Sequence, residues 1–331
     1  MSNPRVLCLG EVLFDLLADQ LGQSLEEVES WTPYPGGAPA NVACSLVKLG
    51  VPAGFVGCVG EDETGNELVD LLGKTGVDIT GVQRHPTAPT RQVYVVRSLE
   101  GDRAFAGFGN YDTRDFADTK LQAANLPESL FEIADILVLG TLELAYPESA
   151  KAVHRALSLA EKYDMKVVLD INWRPVFWQN PDAAMVAIRE IFSRVDFIKL
   201  AKEEAEWLFN TSDAGAIKYR LDSVEGVLIT DGENGCAYCL DENEGKLPAF
   251  NVKVADTTGA GDSFLAGFIH QLLTYGVNSL SNPDIAKQIV IFSSAVGALT
   301  TLTSGAIASQ PNLAEVEAFI ASQADAGKSL R

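Results

Sequence analysis

Residues 256–262 read Asp256-Thr257-Thr258-Gly259-Ala260-Gly261-Asp262, directly after a strand-like 251–254 (NVKV) and directly before an apolar helical run that starts at Ser263. Gly259, Ala260 and Gly261 let the backbone approach a ligand closely, with consecutive N–H groups pointing out of a helix N-terminus. That arrangement is an anion site, strengthened by the helix dipole and suited to phosphate oxygens. Asp262 falls in the first helical turn, where the dipole favours its ionised form at neutral pH. A carboxylate so placed can orient a hydroxyl and accept its proton as the bond to phosphorus forms. A tight turn capped by Asp256 would account for the glycines alone; an aspartate at each end of the string is the more specific signal. A second cluster, Gly36-Gly37-Ala38-Pro39-Ala40-Asn41, opens another helix. Its glycines permit an unusual turn, and Asn41 offers a polyol both a donor and an acceptor. As a helix start alone, Pro39 and Asn41 would be unremarkable.

Both clusters need a scaffold. Apolar, branched runs at 6–9, 55–59, 136–139, 167–171, 197–200 and 227–230 alternate with amphipathic segments. This is the βαβ signature, and the fold class expected is α/β, a doubly wound, mostly parallel sheet flanked by helices. Helical patterns run over 41–49, 66–74, 149–163, 261–275, 285–302 and 313–322. The first puts Val42, Ser45, Leu46 and Leu49 on one stripe and stops at Gly50. One stretch breaks the rhythm: 92–97 and 103–108 are two short strands around Glu100-Gly101-Asp102, a turn signal. A hairpin inserted into a βαβ chain sits off the main sheet, as a lid, a dimer edge or both. No linker, repeat or low-complexity tract divides the chain. One domain over 1–331 is expected, with a small β lid inserted from about 16–34 and 90–110.

Together the two glycine clusters resemble the paired signatures of the ribokinase-like carbohydrate kinases, the PfkB family, and the similarity covers essentially the whole chain. It includes the opening strand with Gly10 and Asp15, the turn Thr230-Asp231-Gly232-Glu233-Asn234-Gly235, and Ser304-Gly305-Ala306. Within the family the chain is most similar to fructokinases, through GEVLFDLL, PGGAPANVA and DINWRPVFW. The resemblance implies ATP-dependent phosphorylation of a sugar's primary hydroxyl, D-fructose to fructose 6-phosphate. It implies Asp262 as the base and the amides of Gly259, Ala260 and Gly261 as the hole for the transferring phosphoryl group. Asp15, Gly36, Gly37, Asn41 and Asn172 would grip the sugar. Arg174 would lie near the phosphates, where its planar, always charged fork suits the task. Lys202, Thr230, Gly232, Gly235 and Gly305 would line the nucleotide site. Asp256 and Thr258, with backbone near Gly305, match the family's monovalent-cation site, which implies K+.

One departure concerns Mg2+. The family's Asn-x-x-Glu, which organises water around that ion, reads Ala201-Lys202-Glu203-Glu204 here, so Glu204 keeps the acidic end while Ala201 loses the amide. The ion usually keeps several waters and rides on nucleotide phosphates, so activity is compatible with this change. The lid, with 18–32, would close over the sugar and exclude water, and lid contacts would make a homodimer. Two alternatives stay open: another family substrate (ribose, 2-keto-3-deoxygluconate or a nucleoside), and a catalytically silent regulatory protein on the same fold.

Composition narrows the classes. The net charge of −20 and the lack of a basic stripe speak against nucleic acid. With 47% hydrophobic residues the chain can build a large core. No apolar run reaches the roughly 20 residues that span a bilayer, and the opening MSNPRVLCLG lacks a signal-peptide layout. Five scattered cysteines suit a reducing cytoplasm. Cys236 and Cys239 read as opposite faces of a strand rather than a metal or redox pair. Gly73-Lys74-Thr75 lacks the first glycine of a P-loop, Gly107-Phe108-Gly109 lacks the third of a dinucleotide fingerprint, and no GxSxG occurs. His85, His154 and His270 share no ligand spacing, and Trp173 and Trp178 read as core packing.

Overall fold

A computed structural model describes residues 3–99, 103–178 and 180–329. Among these residues the strands are, in chain order, β1 (Val6–Leu9), β2 (Leu13–Ala18), β3 (Trp31–Gly36), β4 (Ala53–Gly60), β5 (Asp78–His85), β6 (Gln92–Arg97), β7 (Arg103–Gly107), β8 (Ile136–Leu139), β9 (Lys166–Asp170), β10 (Phe197–Ala201), β11 (Gly226–Thr230), β12 (Cys236–Leu240) and β13 (Asn243–Leu247). They form a nine-stranded sheet, β13-β12-β11-β10-β9-β8-β1-β4-β5, and a four-stranded sheet, β3-β2-β6-β7. In the large sheet β11 through β5 pair in parallel, and only β12 and β13 run antiparallel, at one edge. The α/β, mostly parallel expectation therefore holds.

The reason for the unbroken apolar runs is burial on both faces. Leu7, Leu137, Leu169 and Leu200 pack into one core with the helices Pro147–Lys162 and Pro181–Ile191. Their strand neighbours Val6, Ile136, Val168 and Phe197 pack into a second core with the helices Ala38–Lys48, Ala260–Tyr275 and Pro283–Thr300. Cys236 and Cys239 divide between the two cores in the same way, as their spacing in a strand requires.

β6 and β7 form the anticipated antiparallel hairpin, joined to β2 rather than to the large sheet. Its Glu100-Gly101-Asp102 turn lies outside the described residues. The expected strand at 251–254 does not form: these residues have no regular secondary structure, and Val254 is 54% exposed. Alternation alone cannot make a strand, and this segment pairs with neither sheet. The last helix also runs further than its apolar stripe, over Leu313–Ser329.

Candidate active site

The candidate residues collect at the carboxyl ends of the parallel strands, where open α/β sheets place their ligand crevice. Gly10 and Glu11 follow β1, Asn172 and Arg174 follow β9, Lys202 and Glu204 follow β10, and Asp231 and Gly232 follow β11. The helix Ala260–Tyr275 points its N-terminus among them. Its cap is Gly259, left-handed at φ 78°, and an added Cβ there would sit 2.8 Å from the Ala306 Cβ. At Gly261 a Cβ would lie 2.9 Å from Lys199 Nζ, so a side chain there would have to displace that ammonium. Gly259 is demanded by its backbone angle and by Ala306, while the Ala260 amide donates to the Thr257 carbonyl at 3.2 Å across the turn that starts the helix.

The second cluster meets this helix end directly. Gly37 caps the helix Ala38–Lys48 at φ 104°, with room for no side chain, since a Cβ would fall 2.4 Å from the Glu11 carbonyl oxygen. Glu11 supplies the missing cap from the end of β1: its Oε1 accepts from the Ala38 amide at 2.8 Å. Asn41, buried, donates from Nδ2 to Asp262 Oδ2 at 2.8 Å, joining the two motifs. Its own Oδ1 is buried with no partner.

Asp262 is held in a mixed field. Burial and then the charge of Asp170 raise its pKa to about 6, against the pull of Lys199, the Asn41 hydrogen bond and Arg174. The helix dipole pulls the other way. Desolvation outweighs it, although a carboxyl at about 6 is still mostly ionised at neutral pH. Asp15, on β2, is likewise raised to about 6 by burial, with Arg103 and Arg174 opposing and Asp256 adding. Gly36 lies against it, a Cβ there falling 3.2 Å from Asp15 Oδ2.

A scan against protein-family models matches residues 3–313 to the pfkB family carbohydrate kinases. The chain belongs to that family. It is 33% identical to the probable fructokinase-5 of Arabidopsis thaliana over 97% of this chain and 99% of that one. Its fold superposes on a fructokinase from Xylella fastidiosa crystallised with ATP, at TM-score 0.87 and 29% identity, covering 96% of this chain and 98% of that chain. A fructokinase from Vibrio cholerae bound to fructose, ADP and a potassium ion matches at TM-score 0.82 and 25% identity, covering 96% and 99%.

In this carbohydrate kinase the remaining candidates divide. Lys202 Nζ pairs with Asp231 Oδ2 at 2.9 Å, tying the start of one helix to the turn after β11, where Gly232 has φ 51°. Thr230 donates to the Leu200 carbonyl at 3.4 Å. Gly235 has a structural reason of its own, because a Cβ would lie 2.0 Å from the Leu247 carbonyl oxygen. Asn172 (φ 36°) and Arg174 line a small recess with Glu11 and Thr141. Glu204 is buried and its two oxygens accept from the Trp173 and Ala201 amides, each at 2.7 Å, so it splints the β9 loop to β10. Asp256 accepts from the Thr258 amide (3.0 Å) and hydroxyl (2.7 Å) and from the Gly305 amide (3.2 Å). Burial would raise its pKa, but these hydrogen bonds and Arg103 hold it below the usual carboxylate value. Trp178 joins the core, and Trp173 stacks on Trp207 at 3.8 Å.

Besides Glu11, two residues escaped the sequence reading. Lys199 is buried on β10 with its Nζ 3.0 Å and 3.1 Å from the oxygens of Asp170. Burial disfavours its charge, but Asp170, Glu204 and Asp262 outweigh that and keep it protonated beneath Gly261. A lysine inside the apolar FIKL was the available signal. Arg103 left no comparable signal, since a basic residue at a hairpin strand usually faces solvent.

Proposed function

We propose that this chain is an ATP-dependent fructokinase, moving a phosphoryl group to the primary hydroxyl of D-fructose to give fructose 6-phosphate and ADP. The observation that carries it is the Asn41–Asp262 hydrogen bond in the first turn of the helix Ala260–Tyr275, with the buried Asn41 Oδ1 left over to accept from a sugar hydroxyl. In this reading Asp262 accepts the proton of the attacking hydroxyl, which Asn41, Asp15 and the backbone at Gly36 and Gly37 hold in line. Asn172 would reach the same sugar. The amides of Gly259, Ala260 and Gly261, with Lys199 beneath them, take up the charge that develops on the transferring group. Arg174 would neutralise the phosphates, and Lys202, Thr230, Gly232, Gly235 and Gly305 would border the nucleotide.

ATP supplies the phosphoryl group, and Mg2+ carried on its phosphates supplies positive charge there. The described residues contain no group of three His, Cys, Asp or Glu side chains arranged to hold a metal ion. Glu204 keeps a free lone pair on each oxygen and so suits a water of that ion rather than the ion itself. Among the described residues no helix is long and apolar enough to cross a membrane. All five cysteines are buried and free, and we place the kinase in the cytoplasm on that thiol chemistry.

ADP release with ATP and Mg2+ against fructose, glucose, ribose, 2-keto-3-deoxygluconate and adenosine tests the assignment. Fructose should give the highest kcat/KM. A different best substrate replaces the sugar and keeps the chemistry, and ATP binding without turnover on any of them removes the catalytic reading.

The small sheet would close over the sugar as a lid, and a second copy would cover its open face. Phe105 on β7 is 43% exposed, as are Leu21 (43%) and Leu99 (75%) in the segments just after β2 and β6, and small sheets need such cover. Sedimentation should show a dimer for the parent and a monomer for Phe105→Asp. A parent that sediments as a monomer ends the dimer proposal.

A further inference from the structure

The resemblance calls for a loose monovalent cation at Asp256 and Thr258, and in this chain a side chain already stands there. Arg103, the first residue of β7, reaches from the small sheet to the 256–262 loop. Its Nη2 lies 2.7 Å from Asp256 Oδ2, and its Nη1 donates to Thr258 Oγ1 at 2.6 Å. An ionised carboxylate has about four lone-pair sites. At Asp256 they are taken by the Thr258 amide and hydroxyl on Oδ1 and by the Gly305 amide and Arg103 on Oδ2. Thr258 Oγ1 donates to Asp256 and accepts from Arg103, which leaves it a single lone pair. With the guanidinium docked, a free ion would find neither an open carboxylate oxygen nor the net charge that attracts it, and the residues do not fit a resident K+.

We propose that Arg103 is this kinase's tethered cation. It neutralises Asp256 beside the start of the helix Ala260–Tyr275, and because it is carried on the small sheet, closure of that sheet delivers the charge. The tether also does what a free ion cannot: it links the sheet holding Asp15 to the loop holding Asp262, so sugar contacts and the anion hole come into register in one movement. Arg103 is a positioning residue, acting through Asp256. The proposal rests on the kinase reading above.

The test compares the parent, Arg103→Ala and Arg103→Lys, each as the full chain, in potassium chloride and in tetramethylammonium chloride of equal ionic strength. Matched ionic strength removes general screening from the comparison. The parent should show the same kcat/KM for fructose in both salts. Arg103→Ala should lose about tenfold in tetramethylammonium, the scale of one charge-assisted contact, and recover in potassium. Arg103→Lys should hold most of the parent rate in both. A parent that needs potassium as much as the alanine variant overturns the proposal, as does an alanine variant equal to the parent. Thermal unfolding without substrate gives a second readout that does not depend on which sugar is used. Potassium should raise the midpoint of Arg103→Ala and leave the parent unmoved, whereas a rise in the parent, or in neither protein, counts against the tethered cation even where fructose turns out not to be the substrate.

Discussion

Asp262→Asn should lower kcat for sugar phosphorylation by about 10²–10⁴-fold, the usual worth of a positioned general base, while ATP binding and the unfolding midpoint stay near those of the parent. The substitution keeps the shape and removes a carboxylate that burial already disfavours, so lost activity would report chemistry rather than folding. A variant retaining more than about a tenth of parental kcat would remove Asp262 from that role. The same group sets a pH limb. The base acts when deprotonated, and its pKa lies above the ordinary carboxylate value, at about 6. Activity is therefore level at neutral pH and falls as the pH drops through about 6. Asp15 is raised to about 6 as well. Two carboxylates then titrate in one window, so kcat/KM should fall more steeply than a single proton allows, and Asp15→Asn should restore a one-proton slope. A limb centred at about pH 4, the unperturbed range, would contradict the field described for the site.

The second large effect concerns stability. Arg91 is among the largest fully buried side chains, paired with Asp118, its side chain 0% exposed and that of Asp118 4%. Nη2 bonds Asp118 Oδ1 at 2.9 Å and the Thr113 carbonyl at 3.0 Å, and Nη1 bonds Thr113 Oγ1 at 3.1 Å. The guanidinium lies 4.6 Å from the Phe116 ring centroid and 5.2 Å from that of Phe177. It thereby fastens the segment before β6 to the 108–121 loop and to the Phe177 turn, next to Arg174. Arg91→Met should cost about 3–5 kcal/mol in urea unfolding, because it strands the Asp118 charge out of water. Adding Asp118→Leu should recover part of that loss, since no lone charge then remains buried. A cost below about 1 kcal/mol, the scale of an exposed pair, would show that water reaches the pair and that the buried description fails.

These expectations separate what local sequence carries from what it does not. The parallel strands were legible because burial on both faces writes itself as unbroken apolar runs such as ILVL at β8. The hairpin at β6 and β7 was legible as two short apolar runs around a turn signal. The 251–254 segment alternates and yet forms no strand, since alternation supplies no partner for the backbone and this segment joins neither sheet. Glu11 was passed over as part of an opening string, yet it caps a helix 27 positions along because Gly37 has no side chain to do so.

By itself, the sequence determined the α/β, mostly parallel class of the fold and the two glycine turns that open helices. Both follow from short-range rules: hydrophobic period, turn residues and helix starts. Only the tertiary structure decided that Asn41 and Asp262 touch, that Lys199 pairs with Asp170 beneath Gly261, and that Arg103 occupies the carboxylate of Asp256. Those contacts join residues far apart in the chain, and their energies depend on how much water each charge has lost, which depends on the assembled fold around it rather than on its neighbours in sequence.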